Sequence, residues 1–270
     1  MRRPLALPLA LAARLLAGLV LAGTIVLGTS APAAAMVATP NAPPQLARHV
    51  VMIVGSRGTS CTGAAIARDL VLTAAHCVQP GADYKLVSFD AARQPKLLDV
   101  ATIARHPGFA MAALNGHRAT ADIALLKPAA PLPPGFVPAP LARDGAAVAP
   151  GDAFTVVGMG LSVRGDGRSG GTARAAMLVA TGRPGSLQLR LHDPATRGEA
   201  AGAGACTGDS GAPVFVDTGN GPAVAGVVSW STGPKLAAGC GGLTGVTPLA
   251  SYRAWVVDTA HRMGARLAAP

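Results

Sequence analysis

The sequence predicts an all-β protein of many short strands, finished by one C-terminal helix. Three observations carry this expectation. Short β-branched or apolar runs recur along the chain, 34 glycines and 23 prolines in 270 residues break them up, and past the leader amphipathic helical spacing shows only near the C-terminus. Such a pattern belongs to a sandwich or a barrel.

The N-terminus reads as an export leader. Arg2 and Arg3 form a basic start, Arg14 precedes the apolar stretch Leu15 to Leu27, and Ala33-Ala34-Ala35 offers a small-residue cleavage site before Met36. That stretch is short for a bilayer span, and an uncleaved anchor beginning near Leu5 would carry Arg14 into the membrane. Residues 1–35 are therefore expected to be a signal peptide, with 36–270 as the mature domain, secreted or periplasmic, and no stable membrane insertion after cleavage. Residues 28–48, rich in Ala and Pro, read as a cleavage region followed by an extended segment.

Strand-like runs follow at 49–55, 70–73, 86–89 and 123–126 in the first half. They recur at 154–157, 176–180, 187–191, 213–216 and 224–230 in the second. The Pro- and Ala-rich segment 131–150 reads as a connection between two lobes, and the Gly-rich stretch 164–171 as an exposed loop. The tripeptide Arg164-Gly165-Asp166 in that loop is a chance pattern and receives no function. Tyr252, Trp255, Val256 and Thr259, with Met263 a turn later, fall at helical spacing.

Half of the residues are hydrophobic but only 3% are aromatic, so the core rests on Val, Leu, Ile and Ala. The net charge of +10 comes mostly from dispersed arginines. Without basic blocks or interleaved aromatics, a nucleic-acid surface is not expected. Four cysteines, an even number in an exported chain, point to structural disulfides, and four cysteines permit three pairings. No CxxC spacing occurs, which argues against zinc and thioredoxin-like chemistry.

Three segments carry chemistry. Leu72-Thr73-Ala74-Ala75-His76-Cys77 is an apolar strand ending in small residues that leave room for an imidazole. Ala121-Asp122-Ile123-Ala124-Leu125-Leu126 opens a buried strand with an Asp, which is costly unless a partner satisfies it. Cys206-Thr207-Gly208-Asp209-Ser210-Gly211 flanks a Ser with glycines that permit a sharp turn and a close substrate approach. A hydroxyl nucleophile needs a base near neutral pH, and that base needs an acceptor fixing its tautomer. His76, Asp122 and Ser210 offer those three groups.

TAAHC, DIALL and GDSGAP, in this order, resemble the chymotrypsin/trypsin family of serine peptidases over essentially the whole mature chain; subtilisins and α/β-hydrolases order the same groups differently. The resemblance implies two Greek-key six-stranded β-barrels at about 45–140 and 150–250, with a C-terminal helix at about 251–266. It implies a serine endopeptidase acting through an acyl-enzyme, with Ser210 as nucleophile, His76 as base, Asp122 orienting it, and the Gly208 and Ser210 amides as oxyanion hole. It pairs Cys61 with Cys77 and Cys206 with Cys240.

By the same resemblance, Ser229 supports Asp122, and the backbone of Ser229, Trp230 and Ser231 pairs with an extended substrate. Gly204, followed by Ala205, stands where trypsins carry an acidic residue, and the remaining pocket candidates Ser231 and Gly245 are small and uncharged. The resemblance thus implies a preference for small or medium apolar residues instead of Arg or Lys. It also implies that the α-amino group of Met36 pairs with Asp209, although Ala38 and Thr39 depart from the family's glycines. No cofactor and no metal are expected. The expected partner is a peptide or protein substrate, and the expected state a monomer. A catalytically silent binding protein on the same fold, and an esterase, are the competing readings.

Overall fold

The computed structural model describes residues 36, 39–90, 92–143, 148–182 and 187–269. The leader read at 1–35 lies outside them. Twelve strands form two closed barrels. The first contains β1 (Val50–Gly55), β2 (Ser60–Ala67), β3 (Leu70–Thr73), β4 (Tyr84–Phe89), β5 (Pro95–Arg105) and β6 (Ala124–Pro128). They pair antiparallel in the order β1-β2-β3-β6-β5-β4, and Met52 opposite Val87 closes the ring between β1 and β4.

The second barrel contains β7 (Ala153–Gly158), β8 (Arg174–Gly182), β9 (Leu189–His192), β10 (Pro213–Asp217), β11 (Pro222–Ser231) and β12 (Thr244–Pro248). Its order, β7-β8-β9-β12-β11-β10, repeats the first barrel strand for strand. In each, the third strand neighbours the sixth, the Greek-key crossing that the resemblance implied.

Both faces of the central strands are covered, which explains apolar runs without alternation. In β3, Val71 points into the first barrel with Ile53, Leu86 and Leu126, while Leu70 and Leu72 face a seam shared by the two barrels. Phe215, Val157, Val224 and Val227 meet them there from the second barrel. The interior of the second barrel is filled by Phe154, Val156, Leu178, Leu191 and Val214. A helix, α3 (Arg253–Arg262), is the third of the α-helical segments and buries Val256, Thr259 and Ala260, with Trp255 packed beside the seam. Lys127 of β6 ties its far end by donating to the Met263 carbonyl at 2.6 Å and to Asp69 at 2.8 Å.

Three strands, β2, β5 and β12, are absent from the expected runs. In β2 the residues are small because neighbours cross over them: a β-carbon at Gly63 would press on Val71 Cγ1 and stand 3.0 Å from Ile53 Cδ1. The long β5 is largely exposed and mixed in polarity, and β12 is short with two threonines. The segment expected to be extended before β1 is so only in part. Asn41 bridges Arg174, and then Pro44–Ala47 turns into a short helix, α1, with Pro44 in its first turn, where a missing N–H costs nothing. A second short helix, α2 (Met111–Asn115), lies between β5 and β6.

Candidate active site

His76 sits in a helical turn, Ala75–Cys77, directly after β3. Ala74, Ala75 and Cys77 around it are fully buried, so the backbone is packed tightly while the imidazole stays partly open. Its Nδ1–H donates to Asp122 Oδ2 at 2.7 Å, and its backbone N–H donates to Asp122 Oδ1 at 2.9 Å. One carboxylate thus holds both the ring and the turn that carries it. This leaves Nε2 as the nitrogen that can take a proton.

Asp122 is completely buried just before β6. A buried carboxylate is tolerated where donors satisfy it, and a third donor comes from across the seam: Ser229 Oγ of β11, at 2.6 Å from Oδ2. Behind it stands Tyr252, whose phenol is pushed up by burial and by the Asp122 charge. His106 packs edge-on against Tyr252 and Trp255, each at 5.0 Å.

Ser210 lies in the loop 206–212. Gly208 has φ +93° and Gly211 φ +79°, conformations that an L side chain rarely adopts. Close packing adds a second reason for both glycines. A β-carbon at Gly208 would stand 2.8 Å from Gly160 Cα, and one at Gly211 would overlap Thr73 Oγ1 and the Thr62 carbonyl.

Thr62 of β2 clamps the loop to the first barrel. Its N–H donates to the Ser210 carbonyl at 2.8 Å, and its hydroxyl donates to the Gly208 carbonyl at 2.8 Å and accepts from the Met159 amide. Among the described residues, no protein acceptor takes the amide hydrogens of Gly208 or Ser210. Two unsatisfied N–H groups beside a hydroxyl are what an oxyanion requires.

The neighbouring Asp209 points away from the cavity into the protein. It is wholly buried and accepts from the amides of Gly160 at 2.8 Å and Cys206 at 2.9 Å, and from the backbone of Met36. Burial pushes its carboxyl up to about 6, opposed by those three amides. The Met36 side chain is buried with the core of the second barrel. Met36 and Asp209 are thus brought together.

Cys61 is bonded to Cys77 and Cys206 to Cys240, which fastens the histidine turn to β2 and the serine loop to the segment before β12. His76 and Ser210 open onto one cavity of about 460 Å³, also lined by Ser60, Thr207, Gly208 and Ser231. Gly204, Ala205, Trp230 and Gly245 are not among its lining residues. Gly204 packs on Gly241, and the Ala205 amide donates to Thr244 Oγ1 at 3.0 Å. The β12 side chain facing the Gly204-Ala205 backbone is therefore Thr244. Gly245 instead lies under the Trp230 indole, which a β-carbon there would overlap, because the two residues are opposite one another in the ladder.

Sequence reasoning passed over Thr62, Thr244, Gly158 and Gly160. A β-carbon at Gly158 would overlap the Asp209 carboxylate, and one at Gly160 would stand 2.6 Å from the Asp209 amide nitrogen. The Gly158-Met159-Gly160 spacing was the one available signal. His49 is occupied elsewhere: its ring bonds the Val137 carbonyl at 2.6 Å and packs at a tilt against Phe215, and burial lowers its pKa. The grouping of Cys61, His76 and Cys77 offers no metal ligand set, since both sulfurs are joined in a disulfide. No helix among the described residues is long and apolar enough to cross a membrane.

Residues 36–256 match the family described as Trypsin. The chain is 31% identical over 202 residues to the vitellin-degrading protease of Bombyx mori, an alignment spanning 69% of this chain and 72% of that one. Among solved structures it is similar to human heparin binding protein, with a TM-score of 0.65 over 86% of this chain and 99% of the other at 24% identity, a likeness of fold. The family match over most of the length, joined to a relative of this identity, makes the chain a serine protease of the trypsin family.

Proposed function

We propose that the mature chain is a secreted or periplasmic serine endopeptidase acting through an acyl-enzyme. His76 Nε2 takes the proton of Ser210 Oγ as the oxygen attacks a peptide carbonyl. Asp122 holds the imidazole in the Nδ1–H tautomer and stabilises its cationic form. The Gly208 and Ser210 amides receive the oxyanion. His76 then returns the proton to the leaving amine, and water repeats the sequence on the ester. The single observation that carries this reading is the buried Asp122, held by His76 from one barrel and Ser229 from the other, beside a loop whose Gly208 and Ser210 amides meet no protein acceptor among the described residues.

Gly204 and Ala205 are uncharged, and no carboxylate lines the cavity among the described residues, which supports cleavage after small or medium apolar residues and not after Arg or Lys. Trp230 and Ser231 offer an edge to an extended peptide. Removal of residues 1–35 would free the Met36 α-amino group beside Asp209, where the Met36 backbone already reaches the carboxylate. The enzyme acts as a monomer.

A fluorophosphonate probe should label the wild-type chain and leave Ser210→Ala unlabelled, with peptide turnover abolished in that variant. Labelling that survives the substitution sinks the assignment. Turnover of simple esters without peptides would make the chain an esterase, and N-terminal sequencing of active enzyme that reads any start but Met36 removes the activation pair.

A further inference from the structure

The cleft carries a charge that peptide hydrolysis does not require. Apart from His76, Arg164 is, among the described residues, the only ionisable free side chain lining the cavity. It reaches there from the 159–171 loop and donates from Nη1 to the Ala238 carbonyl at 2.9 Å, across to the loop that leads into Cys240. One N–H of its planar fork is thereby fixed. Among the described residues no carboxylate pairs with it, and its other N–H groups meet no protein acceptor. A guanidinium held by a backbone carbonyl is pre-organised, so little side-chain freedom remains to be lost when a carboxylate docks on it.

A second guanidinium flanks the substrate strand. Arg190 of β9 lies opposite Gly245 of β12, which lies opposite Trp230 of β11. Because Gly245 has no side chain, the arginine reaches over it to the indole, 5.9 Å from the ring centroid. Its Nε is buried without a hydrogen-bond partner. That nitrogen is closed to solvent and Arg190 does not line the cavity, so this residue contributes positive charge beside the strand and no docking atom.

The nearby acids do not neutralise these cations for a substrate. Asp122 is buried behind His76, and Asp209 is buried beneath the serine loop. Without Arg2, Arg3 and Arg14 of the leader, the 23 basic residues fall to 20 against 13 acidic ones, and the mature chain still adds an attractive long-range field for anions.

We infer that the substrates are acidic peptides, in which a Glu or Asp side chain within two residues of the scissile bond docks on Arg164. This rests on the peptidase reading above and deepens it: the small pocket takes the residue whose carbonyl is attacked, and Arg164 selects a carboxylate beside it. Arg190 adds a second positive charge near Trp230. Lysine-rich segments are disfavoured by the same two cations.

The test uses matched fluorescent peptides that differ by Glu or Gln at each of the three positions on either side of the cleaved bond. Turnover is measured with the wild-type enzyme, and binding with Ser210→Ala. At one or more positions within two residues of the bond, Glu should be preferred about tenfold, equivalent to about 1.4 kcal/mol. Arg164→Gln should bring that ratio to about one, Arg164→Lys should retain most of it, and Arg164→Glu should favour Lys over Gln at the same position. The ratio is blind to a general loss of activity from a displaced loop. Equal use of Glu and Gln peptides by an active wild type overturns the inference and leaves the peptidase reading standing. A ratio unchanged in Arg164→Gln overturns it as well. A Glu preference in binding to Ser210→Ala, with no turnover of any peptide by the wild type, sinks the peptidase reading and the substrate inference with it, and leaves only a carboxylate-binding cleft.

Discussion

Ser229 of the second barrel donates its hydroxyl at 2.6 Å to Asp122, a carboxylate that belongs to the first. The same oxygen, Oδ2, accepts from the ring of His76, so one atom joins the substrate-binding strand to the base. The seam between the barrels is therefore where orientation of the imidazole is decided. Ser229→Ala leaves Asp122 buried with two donors in place of three. A hydrogen bond to a charged group contributes about 1.5–3 kcal/mol, so kcat/KM should fall about ten- to hundredfold while the two disulfides and the fold persist. Stopped peptide assays check this, and an unchanged kcat/KM would show that the hydroxyl is a bystander.

Gly211 and Gly219 have nearly the same φ, +79° and +80°, in different surroundings. A β-carbon at Gly211 would overlap Thr73 and the Thr62 carbonyl and stand 2.9 Å from the Ala74 nitrogen, whereas at Gly219 it meets nothing within 4 Å. Gly219→Ala should cost about 1 kcal/mol of backbone strain. Gly211→Ala should cost about 3 kcal/mol or more, because backbone atoms cannot step aside. Urea unfolding of the two variants separates them, and equal losses would refute the packing argument.

Burial pushes the Asp209 carboxyl up to about 6 from an ordinary value of 3.8. The folded state then holds this proton more tightly than the unfolded state. Its contribution to stability is full below about pH 4 and is lost as pH rises through about 6, amounting to about 3 kcal/mol. A chain extended before Met36 should show this loss. A chain beginning at Met36 brings an ammonium to the carboxylate, which favours the charged form and should remove most of the decline. Urea midpoints of both forms, carried on Ser210→Ala to prevent self-digestion, make the comparison, with Asp209→Asn marking which part of the slope belongs to this residue. Parallel pH profiles in the two forms would rule out the ion pair.

The Cys206–Cys240 bond closes a separation of 34 residues that contains the nucleophile loop and β11. On the chain-entropy model, replacing both cysteines by serine should destabilise the chain by roughly 3–4 kcal/mol. Thermal unfolding measures the loss, and fluorophosphonate labelling at a temperature where the variant remains folded reports whether the Ser210 loop keeps its shape.

Much of the fold was legible where strands are buried on both faces, because Leu70-Val71-Leu72 and Val224 to Trp230 announce themselves by composition. The strands that escaped notice do their work with little side chain. β2 is small so that Val71 and Ile53 can cross it, β5 lies mostly in solvent, and β12 is held by its neighbours' ladders more than by its own propensity. Thr244, whose hydroxyl accepts from the Ala205 amide, was passed over beside its neighbour Gly245, since a strand's side chains alternate and adjacent residues serve opposite faces.

The sequence by itself determined the local chemistry: a base on a tight small-residue turn, a carboxylate that demands partners, and a hydroxyl between glycines that only a strained loop would need. These follow from properties carried by a few adjacent residues. The tertiary structure alone decided which distant groups complete them. Thr62 and Gly208 are 146 positions apart and Asp122 and Ser229 are 107 apart, and they meet only because two barrels of like topology pack along one apolar seam. Arg164 likewise became a cleft residue through its bond to Ala238, 74 positions away, a contact that no neighbouring residue encodes.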